Sequence, residues 1–195
     1  MWSDDLTDLS PDRLNNAVET IILGRNYGIP TILKRAFYEL LRTDGLGHHD
    51  INDDQVKSNE DDILSINPDD TYLLICTRVK LEKAWSDTLA SAFHTFHCPN
   101  GSNNEAVIGQ DANGTANTVT CPSNVEKTTE WAKLVYASGL SQEYMYDVLC
   151  GLKVLVDRDW RTEDGYCEEC TNMRRDAWQN ERVKLWEKLD LWLKI

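Results

Sequence analysis

The sequence lacks the positive charge that nucleic-acid binding requires. It has 20 Lys and Arg residues against 33 Asp and Glu, which gives a formal net charge of −13 at pH 7. Phosphate recognition depends on clustered basic side chains, and an acidic surface repels both the phosphate backbone and anionic lipids. The sequence therefore predicts that neither a nucleic acid nor a membrane is the partner, while a basic protein partner remains possible.

Long hydrophobic runs and targeting signals are also missing. No apolar stretch approaches the roughly 20 residues that cross a bilayer, and the N-terminal MWSDD lacks the basic-then-apolar order of a secretory signal. These absences predict a cytoplasmic or nuclear protein. In that setting its six cysteines are expected to be thiols or metal ligands rather than disulfides.

Common signatures of catalysis are absent as well. The sequence contains no Gly-rich phosphate loop, no GxSxG turn and no Rossmann fingerprint. No small-molecule substrate is evident, and we expect a non-enzymatic protein.

Apolar residues instead recur with a helical period, and no segment shows the alternation of a β-strand. Ser10 followed by Pro11 predicts a helix start, and Gly28 followed by Pro30 predicts the turn between two helices. The sequence thus predicts an all-α fold. Its expected parts are a helical hairpin in residues 1–43, an acidic linker in 44–69 and a multi-helix domain in 70–195.

The predicted domain contains a long helix from about Asp69 to Phe93 and a final helix beginning at Thr171 or Asn172. Apolar spacing assigns Trp85, Trp178 and Trp186 to the core, and any exposed tryptophan is the first place to seek a partner contact. Cys76 and Cys150 are expected to pack as small apolar residues. Between them, one helix is predicted from near Val125 and another carries the stripe that starts at Met145. The apolar stripes of the four helices include Leu74, Leu81, Leu89, Trp131, Val135, Met145, Val148, Leu149, Leu152, Leu155, Leu185 and Leu189.

A CxxC motif, Cys167 to Cys170, is the feature with the most chemistry. Its spacing lets two thiolates reach one tetrahedral zinc. Cys98 and Cys121 bracket a polar loop, which is too long for a compact domain unless something holds it. A structural Zn²⁺ bound by all four sulfurs would supply on the order of 10–16 kcal/mol. Closing the loop costs only about 2.7 kcal/mol beyond a constant.

Other interpretations of these cysteines remain open. They could be unligated thiols, or His94 or His97 could replace one cysteine as a ligand. A redox CxxC normally follows a strand, and none is predicted here. A catalytic zinc needs an open coordination position. The alternative functions are therefore a zinc-dependent hydrolase and a zinc-bearing nucleic-acid module.

Several segments together resemble a large family of fungal (basidiomycete-type) BTB/POZ domain-containing proteins, in the helical region that follows the BTB fold. These segments are YGIPTILKRAFYELL (residues 27–41), LEKAW (81–85), Cys98-Pro99, GYCEEC (165–170), RRDAW (174–178) and LWEKLDLWL (185–193).

The resemblance implies a helical adaptor surface that holds a protein partner. The family places a BTB fold ahead of the segment that resembles residues 27–41, whereas here only thirteen residues precede Leu14. We therefore expect the post-BTB half alone. The dimerisation and ubiquitin-ligase recruitment of BTB folds are not carried over.

Overall fold

The computed structural model describes residues 2, 4–12, 14–43, 66–90, 98, 108–110, 116–118 and 121–195. Helices dominate this part of the chain, so the predicted all-α fold is confirmed. None of these helices is both long and apolar enough to cross a bilayer. They are α1 (Ala17–Tyr27), α2 (Pro30–Leu41), α3 (Pro68–Ala90), α4 (Asn124–Ala132), α5 (Leu140–Glu143), α6 (Val148–Asp157), α7 (Trp160–Asp164) and α8 (Glu168–Leu193).

Four short elements complete the described structure. A 3₁₀ turn spans Leu6–Asp8, and a π-helical turn, Lys133–Ala137, continues α4. Strands β1 (Ile108–Gln110) and β2 (Ala116–Thr118) pair antiparallel inside the polar loop, where no strand was expected. Three residues are too few for alternation to be visible in a sequence.

Helices α1 and α2 form the predicted hairpin. Gly28 follows α1 with φ 64°, a left-handed conformation that glycine adopts without a Cβ clash. The predicted helix start at Ser10 is wrong, since α1 begins at Ala17. The backbone carbonyls of Ser10 and Pro11 accept hydrogen bonds from Arg42 at 3.0 and 2.7 Å. The hydrogen bonds from Arg42 therefore outweigh the helix-capping preference of Ser10.

Helix α2 packs the hairpin against α8. Its residues 33–41 are all buried. Tyr38 meets Trp186 edge-on with ring centroids 6.0 Å apart, and Lys34 Nζ lies 2.9 Å from Asp190 Oδ2. The hairpin therefore shares one hydrophobic core with the helices that follow it.

Buried charges join α2 to the start of α6. The Glu39 carboxylate accepts hydrogen bonds from Arg35 at 2.7 Å and from Arg42 at 3.3 Å. Arg42 Nη2 also lies 2.7 Å from Asp147 Oδ2. Acidic and basic side chains thus compensate one another within the chain, which offsets the cost of burying them.

A tyrosine completes this junction. The Tyr38 hydroxyl donates to Asp147 Oδ1 and accepts from the Leu149 N–H, both at 2.9 Å. Burial, followed by the charge of Asp147, raises the pKa of Tyr38 well above its ordinary value. The hydroxyl therefore stays protonated and remains a donor.

Helix α3 turns its predicted apolar stripe towards the core, with Leu74, Leu81, Trp85 and Leu89 buried. Cys76 was expected in the core but is only half-buried, because it lies on the opposite face beside the exposed Tyr72. Most of the acidic linker, residues 44–65, lies outside the described residues, and α3 already begins at Pro68.

Helix α8 lies against α6 and is the longest element among the described residues, with 26 residues and a length of about 39 Å. It begins at Glu168, so the predicted start at Thr171 or Asn172 is late by about one turn. The buried positions of α6 include Leu149, Leu152 and Leu155, as its stripe predicted. Met145 lies in the turn before the helix instead.

Candidate metal centre

The two cysteines of the CxxC motif sit at the N-terminus of α8. Gly165, with φ 69°, reverses the chain after α7, and Cys167 is then the N-cap residue of α8. Cys170 lies in the first helical turn. The CxxC motif therefore spans the start of α8, and both of its sulfurs lie at one end of this helix.

The other two cysteines approach from separate segments. Cys121 immediately precedes α4, whose start is fixed by a capping box between Ser123 and Glu126. Cys98 is buried, while Cys121 is half-buried. The structure therefore brings together both ends of the polar loop and the CxxC turn. His94 and His97, considered as substitute ligands, lie outside the described residues.

The four sulfurs are close enough to hold one metal ion. The Sγ atoms of Cys98 and Cys167 are 3.6 Å apart, and those of Cys121 and Cys170 are 3.7 Å apart. All four lie within 4.8 Å of one another. Four sulfurs at about 2.3 Å from a tetrahedral ion would be separated by about 3.8 Å. The donor set thus fits a tetrahedral thiolate centre.

The remaining two cysteines are not part of this cluster. Cys150 is buried on α6, where burial and the charge of Asp147 raise its pKa to about 12. It behaves as a packing thiol, as its sequence position indicated. Cys76 lies on α3. All six cysteines belong to the described residues, and none of them forms a disulfide.

The electrostatics of the four thiols are unequal. Burial opposes ionisation of Cys121, but hydrogen bonds from the Cys167 backbone N–H and the Lys127 side chain lower its pKa below the ordinary value. Burial raises the pKa of Cys170, and the neighbouring Cys121 raises it further. Ionisation of Cys121 therefore disfavours ionisation of Cys170, and a cation among the sulfurs would favour the thiolate form of both.

Two buried cations beside the sulfurs were not anticipated. Lys127 is 1% exposed and Arg174 is 0% exposed. Lys127 shares a helical face with Trp131 and Val135, at i, i+4 and i+8, and Arg174 follows Cys170 by four residues. This spacing could have identified Lys127 and Arg174 as core-facing from the sequence, because residues four apart lie on the same face of a helix.

An aromatic cluster encloses the same corner of the molecule. Trp131 stacks on Trp178 with centroids 5.9 Å apart and an interplanar angle of 7°, and Trp160 lies 4.9 Å from Trp178. The Arg174 guanidinium carbon lies 4.3 Å from the Tyr166 ring centroid. Helices α4, α7 and α8 therefore meet in a dry, aromatic environment next to the sulfurs.

The structure exposes no tryptophan at which a partner contact could first be sought. All seven tryptophans lie within the described residues and none is exposed; Trp85, Trp178 and Trp186 are buried as expected. The large apolar side chains that do face solvent include Tyr72, Ile75 and Val79, which form a stripe on α3.

A cleft of about 820 Å³ lies between α1 and α3. The Arg25–Asp70 ion pair, at 2.7 Å, lies at its edge. The described residues that line it include no cysteine, serine or histidine. These lining residues therefore provide no pairing of a cysteine or serine nucleophile with a histidine base of the kind that acyl transfer uses.

Comparisons of the chain with protein-family models, with curated proteins and with solved structures found no match. The geometry and chemistry of the site are therefore the basis for a functional proposal.

Proposed function

We propose that this protein is a non-enzymatic protein–protein interaction module, an adaptor, whose fold is completed by a structural Zn²⁺ bound to Cys98, Cys121, Cys167 and Cys170. The observation that carries the proposal is the convergence of four thiols from three separate segments, all within 4.8 Å of one another. Four sulfur ligands fill a tetrahedral shell, which is typical of structural rather than catalytic zinc.

The donor set favours zinc over the ions that prefer oxygen ligands. Soft thiolates select zinc, copper(I) or iron, whereas magnesium and calcium prefer oxygen ligands. Three of the four cysteines are buried, so the ion would be shielded from exchange with solvent. When bound, zinc would cross-link the two ends of the polar loop to α8. It would have no coordination position left for a substrate.

The surface supports an interaction role. Tyr72, Ile75 and Val79 expose apolar side chains along α3, with Tyr72 68% and Val79 60% exposed. Contiguous apolar side chains on a surface are characteristic of contact sites. The net charge of −13 disfavours nucleic acid as the partner, and the resemblance to the post-BTB region supports a protein partner. A cytoplasmic or nuclear location follows from the need to keep the ligand thiols reduced.

Metal analysis combined with circular dichroism tests this proposal. The purified protein should contain one zinc per chain, and a chelator should lower its helical content and melting temperature. A Cys150→Ser variant is the matched control, because it removes a buried thiol outside the cluster and should retain full zinc content. Protein that folds equally well without any metal would refute the structural role.

The same preparation separates the alternative functions. A zinc-dependent hydrolase would lose turnover on chelation while keeping its fold. A nucleic-acid module would bind oligonucleotides with an affinity that falls steeply with salt. Either result would replace the adaptor proposal.

A further inference from the structure

We infer that a second copy of this chain is the partner of the exposed face of α3, and that the two copies pair there antiparallel about a two-fold axis. The inference rests on the proposed interaction role and names the partner of the α3 surface. Two sets of side chains make up this face, the α3 stripe (Tyr72, Ile75 and Val79) and the α3 row beside it (Asp69, Cys76 and Lys83).

The α3 stripe is apolar and runs along one side of the helix. Tyr72, Ile75 and Val79 are all exposed, and their spacing of three and then four residues places them on a common face. The other side of α3 buries Leu74 and Leu81 in the core. Single apolar residues on a surface are ordinary, whereas adjoining ones over two helical turns are characteristic of a contact site. Helix α3 therefore has one apolar face inside the core and a second one that faces solvent.

The α3 row carries opposite charges at its two ends. Asp69 and Lys83 are exposed, and Cys76 lies midway between them in the sequence. The spacing from Cys76 to either end, about two helical turns, aligns the three side chains along the helix surface. Lys83 Nζ also lies 2.9 Å from Asp87 Oδ2, but this pair is exposed on both sides and such pairs contribute little. The row is therefore acidic at its N-terminal end and basic towards its C-terminal end.

This charge pattern is complementary to itself when two copies of α3 run antiparallel. A two-fold axis through Cys76 brings each Asp69 opposite Lys83 of the other copy, because both lie equally far from the axis. It also brings Val79 of one copy beside Tyr72 of the other. A parallel pair would instead place acid against acid and base against base. Charges that flank an apolar seam set the orientation of paired helices, and a two-fold contact uses the same surface on both copies.

The small size of the face sets the expected affinity. Three side chains over about 10 Å of helix supply only the centre of a contact, and interfaces of small area are typically weak and reversible. The net charge of −13 on each copy opposes their approach, although salt screens this repulsion beyond about 8 Å. We therefore expect a reversible dimer with a dissociation constant in the micromolar range.

Analytical ultracentrifugation of the purified chain across the micromolar range tests the inference. The wild type should show a monomer–dimer equilibrium. Val79→Glu places a charge in the middle of the α3 stripe and should weaken dimerisation about 10-fold or more. Val125→Glu is the matched control, because Val125 is an exposed valine on α4 and lies outside the stripe. Circular dichroism should show the same helical content in both variants as in the wild type.

Charge reversal tests the antiparallel pairing itself. Asp69→Lys alone, or Lys83→Glu alone, leaves like charges opposite each other at both ends of the pair, so each should weaken the homodimer about 5- to 30-fold. An equimolar mixture of the two variants should form a heterodimer, because one row is then basic at both ends and the other acidic. The double variant should recover the homodimer. Lys153→Glu reverses an exposed charge on α6 and should dimerise like the wild type.

The outcomes separate this inference from the proposed function. A wild type that stays monomeric throughout the range overturns the inference and leaves the zinc-completed adaptor with a different partner. A dimer that Val79→Glu does not weaken also overturns it, because the contact would then lie elsewhere. Single charge-reversal variants that do not pair with each other overturn the antiparallel arrangement, and the inference with it. Protein that dimerises through α3 but contains no zinc would overturn the proposed metal site alone.

Discussion

Two corners of this molecule bury charged groups in opposite ways. Where the hairpin meets α6, Glu39 and Asp147 lie against Arg35 and Arg42, so acids and bases compensate one another within the chain. At the other corner, four thiols lie within 4.8 Å of one another, and the charged side chains buried nearby include Lys127 and Arg174. The hairpin junction is thus held by ion pairs within the chain, whereas the sulfur corner is where the proposed metal ion would act.

This difference means that the two corners should respond to different perturbations. Loss of metal should act on the sulfur corner first, while changes in the ionic junction should alter stability without altering metal content. Four substitutions, taken from the largest expected effect to the smallest, test this separation.

Cys170→Ser should have the largest effect. It removes one of the four sulfurs, so zinc content should fall from one per chain towards zero. Much of the metal's contribution to stability would be lost with it. At about 2–4 °C per kcal/mol, a melting temperature lower by roughly 10 °C or more is expected. Cys150→Ser is the matched buried control, and an equal loss of zinc there would contradict the assignment of ligands.

Glu39→Gln should destabilise the protein strongly without touching the metal. The substitution keeps the shape of the side chain but leaves Arg35 and Arg42 short of a buried anion, which costs about 3–5 kcal/mol. Urea denaturation measures the change. Asp87→Asn, which breaks the exposed pair with Lys83, should change stability by less than about 1 kcal/mol. A lower zinc content in Glu39→Gln would show that the ionic junction also affects metal binding.

Tyr38→Phe should have an intermediate effect, about 1–3 kcal/mol. It removes the hydroxyl that joins Asp147 to the Leu149 N–H, and leaves that buried N–H without its acceptor. The denaturant midpoint of this variant is compared with that of Tyr136→Phe, which removes the hydroxyl of an exposed tyrosine. Equal midpoints would indicate that another group replaces the hydroxyl.

Ser123→Ala should have the smallest effect of the four, about 1 kcal/mol, through loss of the cap of α4. The Ser123 hydroxyl accepts the Glu126 N–H at 3.3 Å, and Ser123 follows the proposed ligand Cys121 by two residues. Thermal melts of the zinc-loaded protein measure this loss of stability. A large drop in zinc affinity would mean that the cap, and not only the ion, positions Cys121.

The sequence predicted the features that depend on local pattern. Helical periodicity identified the hairpin and the buried faces of α3, α6 and α8, and the long polar loop between Cys98 and Cys121 indicated four converging cysteines. Features that depend on tertiary contacts were missed. Arg42 takes the Ser10 and Pro11 carbonyls and prevents a helix there. Lys127 is only 1% exposed, whereas charged residues are usually assigned to the surface.

The length of α8 has a practical consequence. The helix begins among the sulfurs and ends beneath the hairpin, so Glu168 and Leu191 are about 35 Å apart along a single element. Spectroscopic labels at the exposed Glu168 and Leu191 would therefore give a built-in reference distance. The distances from labels on α1 or α4 to these two positions could then be measured with and without metal and compared with the reference distance.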